Sequence, residues 1–287
     1  MAADFQYCRL PTGLSVGYIT RGQGPLVLFL HGFPDTHRGF LPAMEAVAAA
    51  GYRAVAPEPR GCLPTDIPRD DDYRVEAFAR DVVAIADELG APTFAIVGHD
   101  WGALTGYAVS NLAPHRVNRL ITAAVPHTGH FLLKVRLRQA FRSRYMAYFQ
   151  LRALPERSIP RHDFAYLDHL CRQWSPGGEF DDMLRPVKAM YSDRPRLTAA
   201  LSYYRDLPRS VASAASRRLI FAPVAAPTRI MYGTNDGCIG VELFHGQQNR
   251  FVRPVDLVPM VGAGHFIQWE QPDEFAGQIL DFLGPPS

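Results

Sequence analysis

The stretch Thr93-Phe94-Ala95-Ile96-Val97-Gly98-His99-Asp100-Trp101-Gly102 carries an apolar run into a Gly-x-Asp-x-Gly pentapeptide. The run reads as a strand covered on both faces. The pentapeptide reads as a tight strand-to-helix turn that lifts its central side chain above a sheet, flanked by glycines because any Cβ there would meet neighbouring backbone. The side chain so raised is a carboxylate, already ionised near neutral pH and in no need of a base. Carboxylate nucleophiles attack electrophilic saturated carbon and leave an ester that activated water can hydrolyse. Strained epoxide rings and carbon–halogen bonds are suitable targets. A plainer reading makes Asp100 the N-cap of a helix beginning near Trp101, so its companions decide.

Upstream, Phe5 to Leu10 and Leu14 to Thr20 flank the turn Pro11-Thr12-Gly13 and predict a β-hairpin. Leu26-Val27-Leu28-Phe29-Leu30 is a second continuous apolar run and ends at His31-Gly32-Phe33-Pro34-Asp35. A helix is predicted from about Phe40 to Ala50, a strand from Tyr52 to Ala56, and a helix from Val75 to Leu89 that Gly90-Ala91-Pro92 stops. The elbow helix extends from Trp101 to about Leu112, and Val117 to Ala124 predicts another strand. Such alternation argues for a mostly parallel sheet with helices on both faces.

From Thr128 to Ser213 the rhythm breaks into helical composition cut by Pro155, Pro160, Pro176, Pro186, Pro195 and Pro208. Strands return at Arg229 to Tyr232 and Val255 to Val258, and Asp273 to Leu283 reads as a closing amphipathic helix. The expected organisation is an α/β core in two parts, 1–127 and 214–287, with an inserted helical cap at 128–213.

Asp236, in Gly233-Thr234-Asn235-Asp236-Gly237, follows one of these late strands, and His265, in Gly262-Ala263-Gly264-His265-Phe266, follows the next. In an open parallel sheet the carboxyl ends of the strands form the ligand crevice, so Asp100, Asp236 and His265 are expected to converge. Their chain order of nucleophile, acid and histidine is that of the elbow type of catalytic triad. The loop at His31-Gly32-Phe33-Pro34 is expected to supply an oxyanion donor, the N–H of Phe33, alongside the N–H of Trp101.

Together, His31-Gly32-Phe33-Pro34, Gly98-His99-Asp100-Trp101-Gly102, Asp236 and Gly264-His265-Phe266 resemble the epoxide hydrolases of the α/β-hydrolase fold, over nearly the whole chain. The resemblance implies two cap tyrosines that donate hydrogen bonds to the epoxide oxygen. Tyr145, in Arg144-Tyr145-Met146-Ala147-Tyr148-Phe149, and Tyr204, just before Arg205, match those stretches. It further implies a small apolar epoxide as substrate, held by Phe33, Pro34, Trp101, Tyr148 and Phe149, with no metal or organic cofactor. The loop Pro57-Glu58-Pro59-Arg60-Gly61-Cys62 departs from the family's Asp-x-Arg-Gly-Tyr-Gly pattern and keeps only Arg60-Gly61. His99 is expected to pack under the elbow.

The rival with the same nucleophile is a haloalkane or haloacid dehalogenase. Haloalkane dehalogenases usually carry Asn after His-Gly, where this chain has Phe33, and fluoroacetate dehalogenases carry arginine after the nucleophile, where it has Trp101. A non-catalytic binding protein of the same fold has no need of nucleophile, acid and base in order. An esterase would need serine at the centre of the elbow, where this chain has Asp100.

The 287 residues, 47% hydrophobic and 20% charged, suit one large core with an insertion. A net charge of +2 supplies no strong field for nucleic acid or an anionic membrane, so neither partner is expected. Cys8, Cys62, Cys171 and Cys238 show no metal-binding or disulfide spacing. Met1-Ala2-Ala3-Asp4-Phe5 has no basic segment before an apolar stretch, and no run approaches the roughly 20 apolar residues of a membrane span. A cytoplasmic protein is expected, monomer or homodimer.

Overall fold

The computed structural model describes residues 4–286; Met1, Ala2 and Ala3, on which part of the N-terminal reading rests, lie outside the described residues. The predicted hairpin forms from β1 (Gln6–Arg9) and β2 (Ser15–Arg21), antiparallel with Gln6 opposite Tyr18. Strand and helix then alternate through β3 (Leu26–Leu30), α1 (Leu41–Ala49), β4 (Arg53–Pro57), α2 (Val75–Glu88), β5 (Phe94–His99), α3 (Trp101–Leu112) and β6 (Val117–Ala123). A run of helices follows: α4 (Thr128–Lys134), α5 (Leu137–Arg142), α6 (Arg144–Gln150), α7 (Leu154–Ser158), α8 (Arg161–Trp174), α9 (Asp181–Tyr191), α10 (Arg194–Arg205), α11 (Leu207–Ala212) and α12 (Ala214–Phe221). β7 (Thr228–Gly233), β8 (Asp256–Met260), α13 (Ile267–Glu270) and α14 (Pro272–Leu283) complete the chain.

The eight strands form one sheet in the order β1-β2-β4-β3-β5-β6-β7-β8, parallel throughout from β4 to β8. Register brings the loops together. Leu26 pairs with Phe94 and Leu30 with Gly98, so the loop after β3 emerges beside the elbow after β5. Gly233 pairs with Met260, which sets the loop carrying Asp236 beside the loop carrying His265.

The two-sided burial read from the apolar runs follows the strand period of two. Val27, Phe29, Ala95 and Val97 face Phe40, Met44, Val47, Phe275 and Ile279, from and beside α1 and α14. Leu28, Leu30 and Ile96 face the other way, into a cluster with Phe33, Phe78, Ile85 and Tyr107 that continues into the run of helices α4 to α12 through Phe149, Trp174 and Tyr204. The sheet and these helices thus share one apolar body. Pro155, Pro195 and Pro208 stand in the first turns of α7, α10 and α11, where the missing N–H costs no helical hydrogen bond. They cut the insertion by starting new helices. α12, which packs against α2 and α3, lies on the core side of the predicted boundary at 213. Among the described residues no helix is long and apolar enough to cross a membrane.

Candidate active site

At the elbow Asp100 has φ 51° and ψ −116°, and its side chain makes no N-cap hydrogen bond to α3. A Cβ at Gly98 would collide with Gly102 O, and one at Gly102 with Leu30 O, so the turn closes only with glycine on both sides. The freed carboxylate accepts a hydrogen bond from Phe33 N at 2.8 Å through Oδ1. A Cβ built on Gly32 would lie 2.6 Å from Trp101 N and would meet the Asp100 carboxylate. The two expected oxyanion donors therefore border the same small space beside the Asp100 carboxylate.

Both carboxylate oxygens of Asp236 are engaged. Oδ1 accepts from Cys238 N at 2.6 Å and Ile239 N at 2.9 Å, closing the turn, while Oδ2 takes the His265 ring at Nδ1 from 2.9 Å. His265 Nε2 then lies 3.6 Å from Asp100 Oδ2. Burial by itself would lower the His265 pKa, but Asp236 and then Asp100 outweigh it and raise it to about 10. Burial works to raise the Asp100 pKa, and the charge of His265, 3.6 Å away, turns the balance downward.

Tyr145 and Tyr204 descend from α6 and α10, their rings 5.7 Å apart edge to face. Together with Asp100, Trp101, Met146 and Leu207 they line a cavity of about 60 Å³. The Tyr145 hydroxyl has Cys238 Sγ at 3.6 Å, and the buried Tyr204 hydroxyl finds no hydrogen-bond partner among the described residues. Burial raises both phenol pKa values well above the ordinary, and the Asp100 charge adds to it. Both remain neutral O–H donors.

The other predicted contact residues are placed differently. Trp101 lines the cavity with its ring 5.2 Å from Tyr204. Phe33 and Phe149 stand one layer back, their rings 5.5 Å apart and 5.5 and 5.1 Å from Tyr204. Pro34 is buried and does not line the cavity. Tyr148 turns away, its hydroxyl bonded to Ser158 and its ring against Tyr166. Tyr148 and Phe149, three and four residues after Tyr145, both fall near its face of α6, and of the two it is Phe149 whose ring packs against Tyr145 and Tyr204. Leu104, Val125, Thr128, Phe131, Leu132, Ser143 and Ile239 complete the lining, and as ordinary apolar or small hydroxyl residues they carried no signal in the sequence.

Several supports were also missed. Glu58, in the loop that departs from the family pattern, is buried and accepts from the His31 ring at 2.7 Å, while His37 holds its second oxygen. Burial would raise the Glu58 pKa, but His31 and His37 bring it down to about 2. This anchors the oxyanion loop. Ser175 Oγ, just past α8, accepts from His265 N at 2.7 Å and Phe266 N at 3.1 Å. Arg205 reaches Phe149 O and Leu151 O, each at 2.8 Å, and Glu156 at 2.6 Å, tying α10 to the end of α6. His99 is fully buried and contacts His265 O at 2.9 Å, with its pKa lowered to about 3 by burial and the neighbouring His265 charge. Two groups of metal-ligand types gather within 4.8 Å, His31, Glu58 and Cys62, and Asp236, Cys238 and His265. In each the carboxylate is already engaged by a histidine ring.

Residues 25–272 match the α/β hydrolase fold family. AB hydrolase superfamily protein YfhM of Bacillus subtilis is 29% identical over 276 residues, spanning 94% of both proteins. Epoxide hydrolase 4 of Mus musculus is 28% identical over 284 residues, 95% of this chain and 77% of that protein. Among solved structures, the Bacillus megaterium epoxide hydrolase in complex with an inhibitor superposes with a TM-score of 0.81 at 26% identity, over 97% of this chain and 99% of the other.

Proposed function

The chain belongs to the α/β-hydrolase-fold family, and from that premise we propose that it is an epoxide hydrolase, converting a small apolar epoxide to a vicinal diol. The observation that carries this reading is the cavity which Asp100 shares with Tyr145 and Tyr204, a nucleophile facing two buried phenols. The relatives named epoxide hydrolase support it. Tyr145 and Tyr204 donate to the epoxide oxygen, and Asp100 attacks one ring carbon; the C–O bond breaks toward the phenols as the ester bond forms. A phenol is a suitable donor because the alkoxide that develops is the stronger base.

Ester formation changes His265. In the resting site its imidazolium faces two carboxylates, but once Asp100 becomes a neutral ester only Asp236 remains. The pKa of His265 falls, its proton passes to the alkoxide that ring opening leaves, and the neutral ring then removes a proton from the water that attacks the ester carbonyl. Phe33 N–H and Trp101 N–H receive the oxyanion, and Asp236 orients the ring. The first step thus prepares the base for the second.

A single turnover in oxygen-18 water over styrene oxide, aliphatic and terpene epoxides tests the reading. The first diol takes its new oxygen from the protein, and later ones from solvent. Solvent label in the first turnover would refute the ester, and halide release from matched haloalkanes without diol formation would assign the site to a dehalogenase.

A further inference from the structure

The junction of α4 and α5 carries a surface that this chemistry leaves unexplained. Leu133-Lys134-Val135-Arg136-Leu137-Arg138 are six consecutive exposed residues in which apolar and basic side chains alternate. Leu137 is 91% exposed, and Phe141, on the same face of α5 four residues later, 69%. Arg144 lies over the Phe141 ring at 4.6 Å. Single exposed apolar residues are ordinary, but a cluster of this kind marks a contact surface.

The charge is as one-sided as the exposure. From 128 to 155 the chain has Lys134, Arg136, Arg138, Arg142, Arg144 and Arg152 and no acidic residue. Lys134, Arg136 and Arg138 also border a groove of about 540 Å³ with His130 and His245, in which Glu242 is the one acid. The small net charge from which no membrane partner was expected averages over a molecule that carries this one acid-free basic stretch.

We propose that this surface docks on an anionic phospholipid bilayer. Lys134, Arg136, Arg138 and Arg144 meet the headgroup phosphates, and Leu133, Leu137 and Phe141 insert shallowly among the acyl chains. A second copy fits less well, because two-fold pairing would set the same cations against each other. A purely polar acidic partner would leave the apolar side chains uncovered. Phe131 and Leu132, adjacent on α4, line the cavity at Asp100, so docking brings the lining of the site next to the membrane. The corollary, which rests on the proposed epoxide chemistry, is that the substrates are lipophilic epoxides dissolved in the bilayer. Docking itself is tested without turnover.

The full chain is sedimented with vesicles of phosphatidylcholine, with and without phosphatidylglycerol. Partitioning should be at least about tenfold stronger on the anionic vesicles at low salt and should weaken as salt rises. Arg136→Glu with Arg138→Glu should reduce it about tenfold or more, and Leu137→Ser with Phe141→Ser should reduce it at every salt concentration. The melting temperature of each variant serves as the folding control. Equal binding to both vesicles, or no binding, overturns the proposal, as does wild-type binding by either variant. Self-association abolished by Leu137→Ser with Phe141→Ser, without vesicle binding, would assign the surface to a second copy.

Discussion

Asp100 is held where an aspartate backbone is reluctant to go, in a positive-φ conformation of a kind that costs about 1–3 kcal/mol and persists only when its surroundings dictate it. The two readings open in the sequence, helix cap and nucleophile, part here, because the carboxylate bonds to Phe33 across the site and not to α3. On the proposed mechanism His265→Gln leaves alkylation intact and stops hydrolysis. Intact-protein mass spectrometry should then show a gain of one substrate mass, with steady-state turnover down by about a thousandfold or more; an unmodified variant that still turns over would sink the assignment. Tyr204→Phe keeps the ring and removes only the donor, so the rate of ester formation should fall by roughly a hundredfold with the fold unchanged. Stopped-flow under single-turnover conditions reads it, and an unaltered rate would exclude Tyr204 from ring opening. Asp100 and His265 were legible because short glycine-bounded turns announce them, and Tyr204 only through the family resemblance. Tyr148 and Pro34 were not, since a motif specifies a residue's neighbours in sequence and not the direction its side chain takes.

Between elements, the two tyrosine-bearing helices are locked by Arg205, whose guanidinium joins α10 to the carbonyls ending α6 and to the buried Glu156. Burial pushes the Glu156 pKa up, and the ion pair with Arg205 overrides it and lowers it. Arg205→Met therefore strands a buried carboxylate, at a cost of about 3 kcal/mol. Denaturant unfolding should show that loss. The looser tyrosine pair should slow ring opening more than ester hydrolysis, since only the former uses the phenols; equal slowing of both steps would argue for a general loss of structure. Helices in the insertion were legible from composition and proline positions. Their mutual arrangement was not, because Arg205 with Glu156 and Ser175 with His265 are contacts between segments whose pairing no local period records.

Across the whole molecule, strand order and register bring Asp100, Asp236 and His265 into one buried cluster, and that cluster links stability to pH. The folded pKa of His265, about 10, exceeds its ordinary 6.5, so its ion pairs stabilise fully below 6.5 and lose that contribution as pH rises through 10. The difference in melting temperature between wild type and Asp236→Asn should accordingly be larger at pH 6.5 than at pH 10. A constant difference would mean that the imidazole is not held charged by Asp236. The sequence by itself determined the alternation of strand and helix, the elbow and the order of nucleophile, acid and histidine, because periodicity and glycine turns are properties of the local chain. Only the tertiary structure decided which aromatic residues face the cavity and which distant groups brace the site, because burial and contact between remote segments arise only when they are packed against one another.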